Sequence, residues 1–169
     1  MEVTSAVIDY FFSFLFFVSF YFKARNMFNF SYEIKSYNVV PPSLAKLSAV
    51  AVVTLEFLLA IFYACHVLNG YKEAATIGLF LFFTIITYRK KREKGEESCN
   101  CFGKVHFLNK NPIVRNLFFI ILSLIQIWLS NPERNINQSI YLLLGFSILI
   151  LIFDISDHLH KLKKLRPEI

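Results

Sequence analysis

The stretch LSAVAVVTLEFLLAIFYACHVL, residues 47–68, decides the fold. Apart from Glu56 and a histidine near its end, it is built from apolar and small uncharged residues. A helix rises 1.5 Å per residue and needs about 17–25 mostly apolar residues to cross a bilayer. This stretch meets that length, and four further apolar runs flank it: residues 3–22, interrupted by Asp9, then 74–88, 113–130 and 140–153. The runs at 3–22 and 113–130 are long enough to span. Those at 74–88 and 140–153 are short. They reach across only with flanking residues such as Tyr71 or Ile155, or with local thinning of the bilayer.

Composition excludes the soluble alternative. Of 169 residues, 56% are hydrophobic and 17% aromatic, and mean hydropathy is +0.50. A soluble domain of this size has too little interior for that many Phe, Ile and Leu side chains, so lipid must solvate many of them. The charges, moreover, are gathered between the runs. The expectation is an all-α membrane protein of one domain, residues 1–169: a helical core over 3–130, a further helix over about 139–155 and a basic tail at 156–169. Five spans are expected, the alternative for the last run being a segment lying on the membrane surface. Because no Lys or Arg precedes Lys23 and no small-x-small site follows its apolar core, the first run is expected to stay as a helix rather than act as a cleaved signal.

Basic residues bias loops toward the cytoplasm. Counting Arg115 at the start of the fourth run, sixteen of the 18 Lys and Arg fall between runs one and two, between runs three and four, or after run five; only Lys72 and Arg134 fall on the other side. The expected topology therefore has the N-terminus outside and the C-terminus cytoplasmic. A net charge of +6 distributed this way suits span orientation and anionic headgroups rather than nucleic acid, because the aromatics lie in the spans. The partner implied is the lipid bilayer. The segment KARNMFNFSYEIKSYNVVPPSLAK, residues 23–46, alternates aromatic and charged residues and reads as an interfacial segment, with Pro41 and Pro42 as its stop and Ser43 as the N-cap of the second span.

Two of the three cysteines, Cys99 and Cys101, sit in EESCNCFGKVHF, residues 96–107, between a basic run and the fourth span. Three readings stay open at this point. The pair is two inert loop residues, or two ligands of a metal site with His106, or a thiol–disulfide couple. The Cys-x-Cys-x4-His spacing supplies too few ligands for a closed zinc site, and no metal or other cofactor is expected. A bridge between residues two apart is close to the geometric limit, so it would be strained and readily reduced. Lys94, Lys104 and the basic run favour a thiolate, while Glu96 and Glu97 oppose it. On the cytoplasmic side, such a pair would pass electrons and not hold a permanent bridge.

Cys65 lies 19 residues after Lys46, about 28 Å along a helix, too far to meet the pair, and reads as a small packed side chain. Glu56 lies near mid-membrane, where a carboxylate needs a partner or a polar cavity. Lys23, Arg115 and Asn116 are the available partners, reaching it by snorkelling or through a wet cleft. Its role reads equally as structural or proton-linked. Asp9 and Asp154, near span ends, are expected in solvent or headgroups, and His158 and His160 in a solvated tail.

CNCFGK, residues 99–104, followed by VRNLFFIIL, residues 114–122, resembles the Cys-x-Cys-Phe-Gly … Arg-Asn-Leu signature of the MauE family, bacterial membrane proteins related to the DoxX group. The resemblance extends upstream to Lys23, Tyr37, Pro41–Pro42 and Glu56 in VTLEFLLA, and covers roughly residues 10–130. It implies a DoxX-like antiparallel bundle of four core transmembrane helices in the bacterial cytoplasmic membrane, here with the fifth run added. It further implies support of thiol–disulfide chemistry in the maturation or export of a disulfide-rich subunit of methylamine dehydrogenase, beside a thioredoxin-like partner. Site roles carried over by the resemblance fall on Cys99 and Cys101 as the exchanging pair, with Phe102, Gly103, Arg115, Asn116, Glu56 and Lys23 in support. The sequence departs from the family pattern in the fifth run, in the very basic loop before Cys99 and in Asn100, where glycine is common. A non-redox transporter or membrane assembly subunit is the alternative function.

Overall fold

The structure, a computed structural model, describes residues 2–37, 40–94 and 111–129, and from the C-terminal part residues 144, 145, 148, 152, 155 and 156. The described residues contain helices and turns with no strand. Five helices are continuous: α1 (Glu2–Arg25), α2 (Met27–Ser36), α3 (Ala45–Cys65), α4 (Tyr71–Lys94) and α5 (Pro112–Trp128). The chain divides into two units, Met1–Pro132 and Glu133–Ile169. In the second unit Leu144, Gly145, Ile148, Ile152, Ile155 and Ser156 are helical, within the expected fifth run and just past its end.

Side-chain pairings set the direction of each long helix. From α1 to α3, Lys23 pairs with Glu56, Ser13 donates to the Ala60 carbonyl at 2.8 Å, and Asp9 meets His66 just beyond α3. One number falls as the other rises, so these two helices are antiparallel. Gln126 near the end of α5 reaches Ser5 and Asp9, which makes α5 antiparallel to α1 as well. Lys72 at the start of α4 also meets Asp9, so α4 runs with α1. The four long helices thus alternate in direction, α1 packing along α3 and α4 along α5.

Each helix buries a stripe at helical spacing. On α3 it is Ala45, Ala49, Val53, Glu56, Leu59, Ala60, Tyr63 and Ala64, whose small members let neighbouring helices approach closely. An aromatic column fills the centre. Phe12, wholly buried, stacks on Tyr63 at 5.1 Å between ring centroids; Phe16 stacks on Phe80 at 5.7 Å, and Phe80 meets Phe119 at 5.0 Å.

What is inside and what is outside is inverted relative to a water-soluble bundle. Asp9, Lys23, Glu56, Lys72, Glu73, Asn116 and Gln126 are all buried, while Phe82, Ile85, Leu117, Phe118, Leu124 and Trp128, the last 91% exposed, face outward. Lys, Glu and Asp are almost never buried in water-soluble proteins unless paired, and large apolar side chains do not coat them. This distribution suits helices solvated by hydrocarbon. Two of the helices, Thr4–Arg25 and Ala45–Cys65, are long and apolar enough to cross a membrane. At about 26 Å, the 17 residues of α5 sit at the lower limit for spanning.

Two details refine the sequence reading and one corrects it. The helix that holds the short third run is longer than the run: α4 has 24 residues, starting at the flanking Tyr71 and continuing through the basic segment to Lys94. Its start is set by Glu73, whose carboxylate accepts the Gly70 N–H at 2.6 Å, half of a capping box, with Gly70 at φ +86° in the left-handed region that glycine tolerates. Ser43 does not cap α3. The N-cap is Leu44, with no side-chain bond, because the turn after Pro41 already brings the chain into helical geometry there. The interfacial segment, for its part, is helical over α2, which turns Phe28 and Tyr32 outward and seats Phe30 against Ala49 and Val53. At its end, burial and the Glu33 carboxylate at 2.9 Å push the Tyr37 hydroxyl well above the ordinary tyrosine range.

Replacing Phe12 with alanine opens a hole in the centre of the aromatic column. The expected loss is about 3–5 kcal/mol, read as a lowered midpoint in thermal unfolding of the detergent-solubilised protein.

Candidate functional site

Four of the eight residues singled out in the sequence converge on one cavity. Lys23 lies in the last turn of α1, Glu56 at the middle of α3, and Arg115 and Asn116 in the first turns of α5. All four line a small cavity with Ser19, Leu15, Phe16, Phe80 and Phe83; its free volume of about 10 Å³ is room for about one water molecule. The other four, Cys99, Cys101, Phe102 and Gly103, lie outside the described residues, as do Asn100, Lys104, His106, Asp154, His158 and His160. By chain connectivity the segment carrying the cysteines joins the end of α4 to the start of α5, the same end of the bundle as the cavity.

The Lys23 ammonium donates to Glu56 Oε1, an ion pair whose side chains are both 3% exposed. Ser19 Oγ donates to the same oxygen at 3.1 Å. Lys23 reaches inward from its helix end along the Phe30 and Phe83 rings, its ammonium 5.1 and 5.0 Å from their centroids, a cation–π setting on both sides. This is snorkelling directed into the bundle. The second carboxylate oxygen, Oε2, has no hydrogen-bond partner among the described residues, and neither does Asn116 Nδ2. Arg115 does not pair with Glu56 here. Its Nε and a terminal nitrogen donate to Asn116 Oδ1 at 3.3 and 3.2 Å, which occupies the amide oxygen and leaves the amide nitrogen as the group the cavity can use.

A second polar cluster, at the opposite end, went unread in the sequence. Asp9 is buried, not solvated as expected. Its Oδ2 accepts from His66 Nδ1 at 2.6 Å; its Oδ1 accepts from Gln126 Nε2 at 2.9 Å and lies 3.4 Å from the Lys72 ammonium. Lys72 also donates to Asn69 Oδ1 at 2.8 Å and lies 3.6 Å from Glu73 Oε1, with its ammonium 5.1 Å from the Tyr63 ring centroid. Thr76 gives its hydroxyl hydrogen to the Lys72 carbonyl, so at the 3.0 Å contact between the two hydroxyls Tyr63 is the donor. His66 ends α3 in the left-handed region, φ +54°, and its ring rests edge-on against Tyr10. One carboxylate therefore ties α1 to the turn after α3, to α4 and to α5. The available signal was the spacing Ser5–Asp9–Ser13, one polar position per helical turn in an apolar run, together with the Lys–Glu pair that opens α4. Cys65 is half-buried beside this cluster, and it is the free cysteine among the described residues. Among these residues no three His, Cys, Asp or Glu side chains are grouped so that they could hold a metal ion.

Removing one member of the buried pair strands the other. Glu56→Ala is expected to destabilise by about 3–5 kcal/mol, because the Lys23 ammonium stays buried without its carboxylate. Lys23→Met combined with Glu56→Leu should recover most of that loss. Thermal unfolding of the single and double variants in detergent checks both expectations.

No curated protein and no solved structure matches this chain. A family model does, over residues 1–129, the span that holds all five continuous helices and every residue of the cavity. Its description is methylamine utilisation protein MauE, and with more than half of its length matched the chain belongs to the MauE family.

Proposed function

We propose that this protein is a multi-pass membrane protein that supports thiol–disulfide chemistry of exported proteins, with Cys99 and Cys101 as the exchanging pair. The observation that carries the reading is the buried Lys23–Glu56 pair facing Asn116 and Arg115 at the end of the bundle to which the cysteine segment is joined. A buried ion pair of this kind is costly in lipid. In this reading Arg115 supplies the positive charge and Glu56 the proton-accepting oxygen that thiolate chemistry needs.

The exchange itself balances without another reagent. One cysteine thiolate attacks a sulfur of a partner's disulfide and displaces the partner's second sulfur as a thiolate. The second cysteine then attacks the mixed disulfide, leaving a Cys99–Cys101 bridge here and two thiols on the partner. The reverse sequence oxidises the partner. In the arrangement we propose, four core helices and a fifth C-terminal helix span the bacterial cytoplasmic membrane. The N-terminus is outside, and the cysteine segment and C-terminus are cytoplasmic. In this reading a thioredoxin-like protein exchanges with the pair and an exported, disulfide-rich protein is the substrate; the family description, methylamine utilisation protein, supports the link to methylamine utilisation.

The Asp9–His66–Lys72 cluster favours a second reading, a transporter or assembly subunit without redox chemistry, because it is a charged, buried network that owes nothing to the cysteines. Double substitution separates the two. Cys99→Ser with Cys101→Ser abolishes function in the redox reading and leaves it intact in the other.

Thiol alkylation of the protein after reducing and oxidising treatment should reveal two modifiable thiols in the first case and a protected pair in the second. Equal modification of Cys99 and Cys101 under both treatments would falsify the proposal. On intact cells, a membrane-impermeant maleimide should leave both cysteines unlabelled until the membrane is opened; labelling from outside would reverse the proposed topology.

A further inference from the structure

We infer that the cavity between Glu56 and Asn116 is a proton-exchange site built to hold one small hydroxylic molecule the size of water. The inference deepens the thiol–disulfide reading and rests on it for its purpose. Its basis is the chemistry of the lining. Glu56 Oε2 is an acceptor and Asn116 Nδ2 a donor, each more than nine-tenths buried and each without a hydrogen-bond partner among the described residues. A buried polar group left unsatisfied is costly in a hydrocarbon setting, so two of them on one cavity mark a place shaped for a ligand. A hydroxyl group satisfies both at once, donating to the carboxylate and accepting from the amide. The volume, about 10 Å³, is room for about one such molecule.

The neighbours decide what that ligand does. Lys23 and Ser19 from α1 already hold Glu56 Oε1, so the free oxygen is the one open to proton transfer. From α5 the site is faced by Asn116 and by Arg115, whose guanidinium grips the Asn116 oxygen and fixes which way the amide points. From α4 come Phe80 and Phe83, which carry no titratable group and seal the apolar side. The opposite polar cluster lies at the other end of α1 and takes no part. Each turn of disulfide exchange requires a thiol to give up a proton before it attacks. Glu56 accepts that proton through the bound hydroxyl: the S–H bond breaks, the thiolate keeps the electron pair, and the carboxylate becomes a carboxylic acid. When the leaving thiolate needs a proton, Glu56 returns it. Asn116 is a positioning residue in this scheme, since it acts through the hydroxyl it holds.

Infrared difference spectroscopy on the full-length protein in detergent tests the site. Wild-type minus Glu56→Gln spectra, recorded across pH in H₂O and D₂O, isolate the Glu56 carboxyl bands. Glu56→Gln keeps an oxygen for Lys23, and Asn116→Leu leaves the Lys23–Glu56 pair untouched, so the second variant reads the cavity even where the first is unstable. The expected result is a carboxyl band that titrates promptly after a pH jump, changes between reduced and oxidised protein, and shifts in Asn116→Leu. In the same variants, exchange of Cys99 and Cys101 with a small aromatic disulfide at neutral pH should slow on the order of 10- to 100-fold. Asp9→Asn, at the far cluster, should leave the band unmoved. Thiols that cycle with an unaltered pH profile in both variants overturn the inference and leave the proposed function standing. Thiols that never cycle overturn the proposed function; the site then stands or falls on whether the Glu56 band exchanges and depends on Asn116.

Discussion

A helix surrounded by hydrocarbon can satisfy a polar side chain only against another helix, and this constraint organises the bundle. Water offers no partner on the outer face, so each buried charge selects its neighbour. Asp9 has to be met from α3, α4 and α5 at once, and Glu56 has to be met from α1. The apolar side chains between them fill space without dictating register, because lipid tails solvate Leu and Phe as well as a protein core does. The polar pairs therefore set how the helices align along their axes, and the aromatic column of Phe12, Phe16, Tyr63, Phe80 and Phe119 sets how closely they approach.

The same constraint explains why the helices were legible in the sequence and their partnerships were not. Length and hydropathy suffice for α1, α3 and α5, since a run of apolar residues has one stable conformation in lipid. Periodicity is a poorer guide, because the outward face is as apolar as the packing face and the buried stripe is marked only by scattered polar residues. Thus Asp9 looked terminal and solvated when judged by its position in the run. It is buried because Gln126, 117 residues later, and the turn at His66 fold over it. The reach of Lys23 to Glu56 was within the sequence reading, since a long cationic side chain at a helix end can only snorkel outward to water or inward to a carboxylate. Arg115 was the harder case. Its choice of Asn116 over Glu56 depends on two adjacent side chains on one helix turn, a local geometry that no spacing rule encodes.

The boundaries missed in the sequence have a similar origin. The C-terminal half of α4 is basic, and hydropathy ends the run at Tyr88. The backbone nevertheless continues to Lys94, because Lys and Arg are good helix formers and no proline or glycine intervenes before Gly95. At the other end the helix begins before its apolar run does, since Gly70 and Glu73 supply the start. Span and helix are different quantities, and the difference between them places basic side chains on the approach to the cysteine segment.

The two polar clusters differ in a way that bears on which of them does chemistry. In the Asp9 cluster both oxygens of the central carboxylate are engaged, and Lys72 has three anionic or carbonyl-oxygen neighbours and a ring face. A central carboxylate engaged on both oxygens favours one arrangement and resists change. The Glu56 cluster holds its carboxylate by one oxygen and faces it across a cavity from an amide nitrogen with hydrogens to give. Evolution of a purely structural contact would be expected to fill that gap with a methyl group or close it with a third donor, either of which stabilises the bundle at no cost to packing. An acceptor and a donor that line one cavity without partners among the described residues are most stable with a small hydroxylic molecule between them. A carboxylate in such a position can change its proton without any helix having to move.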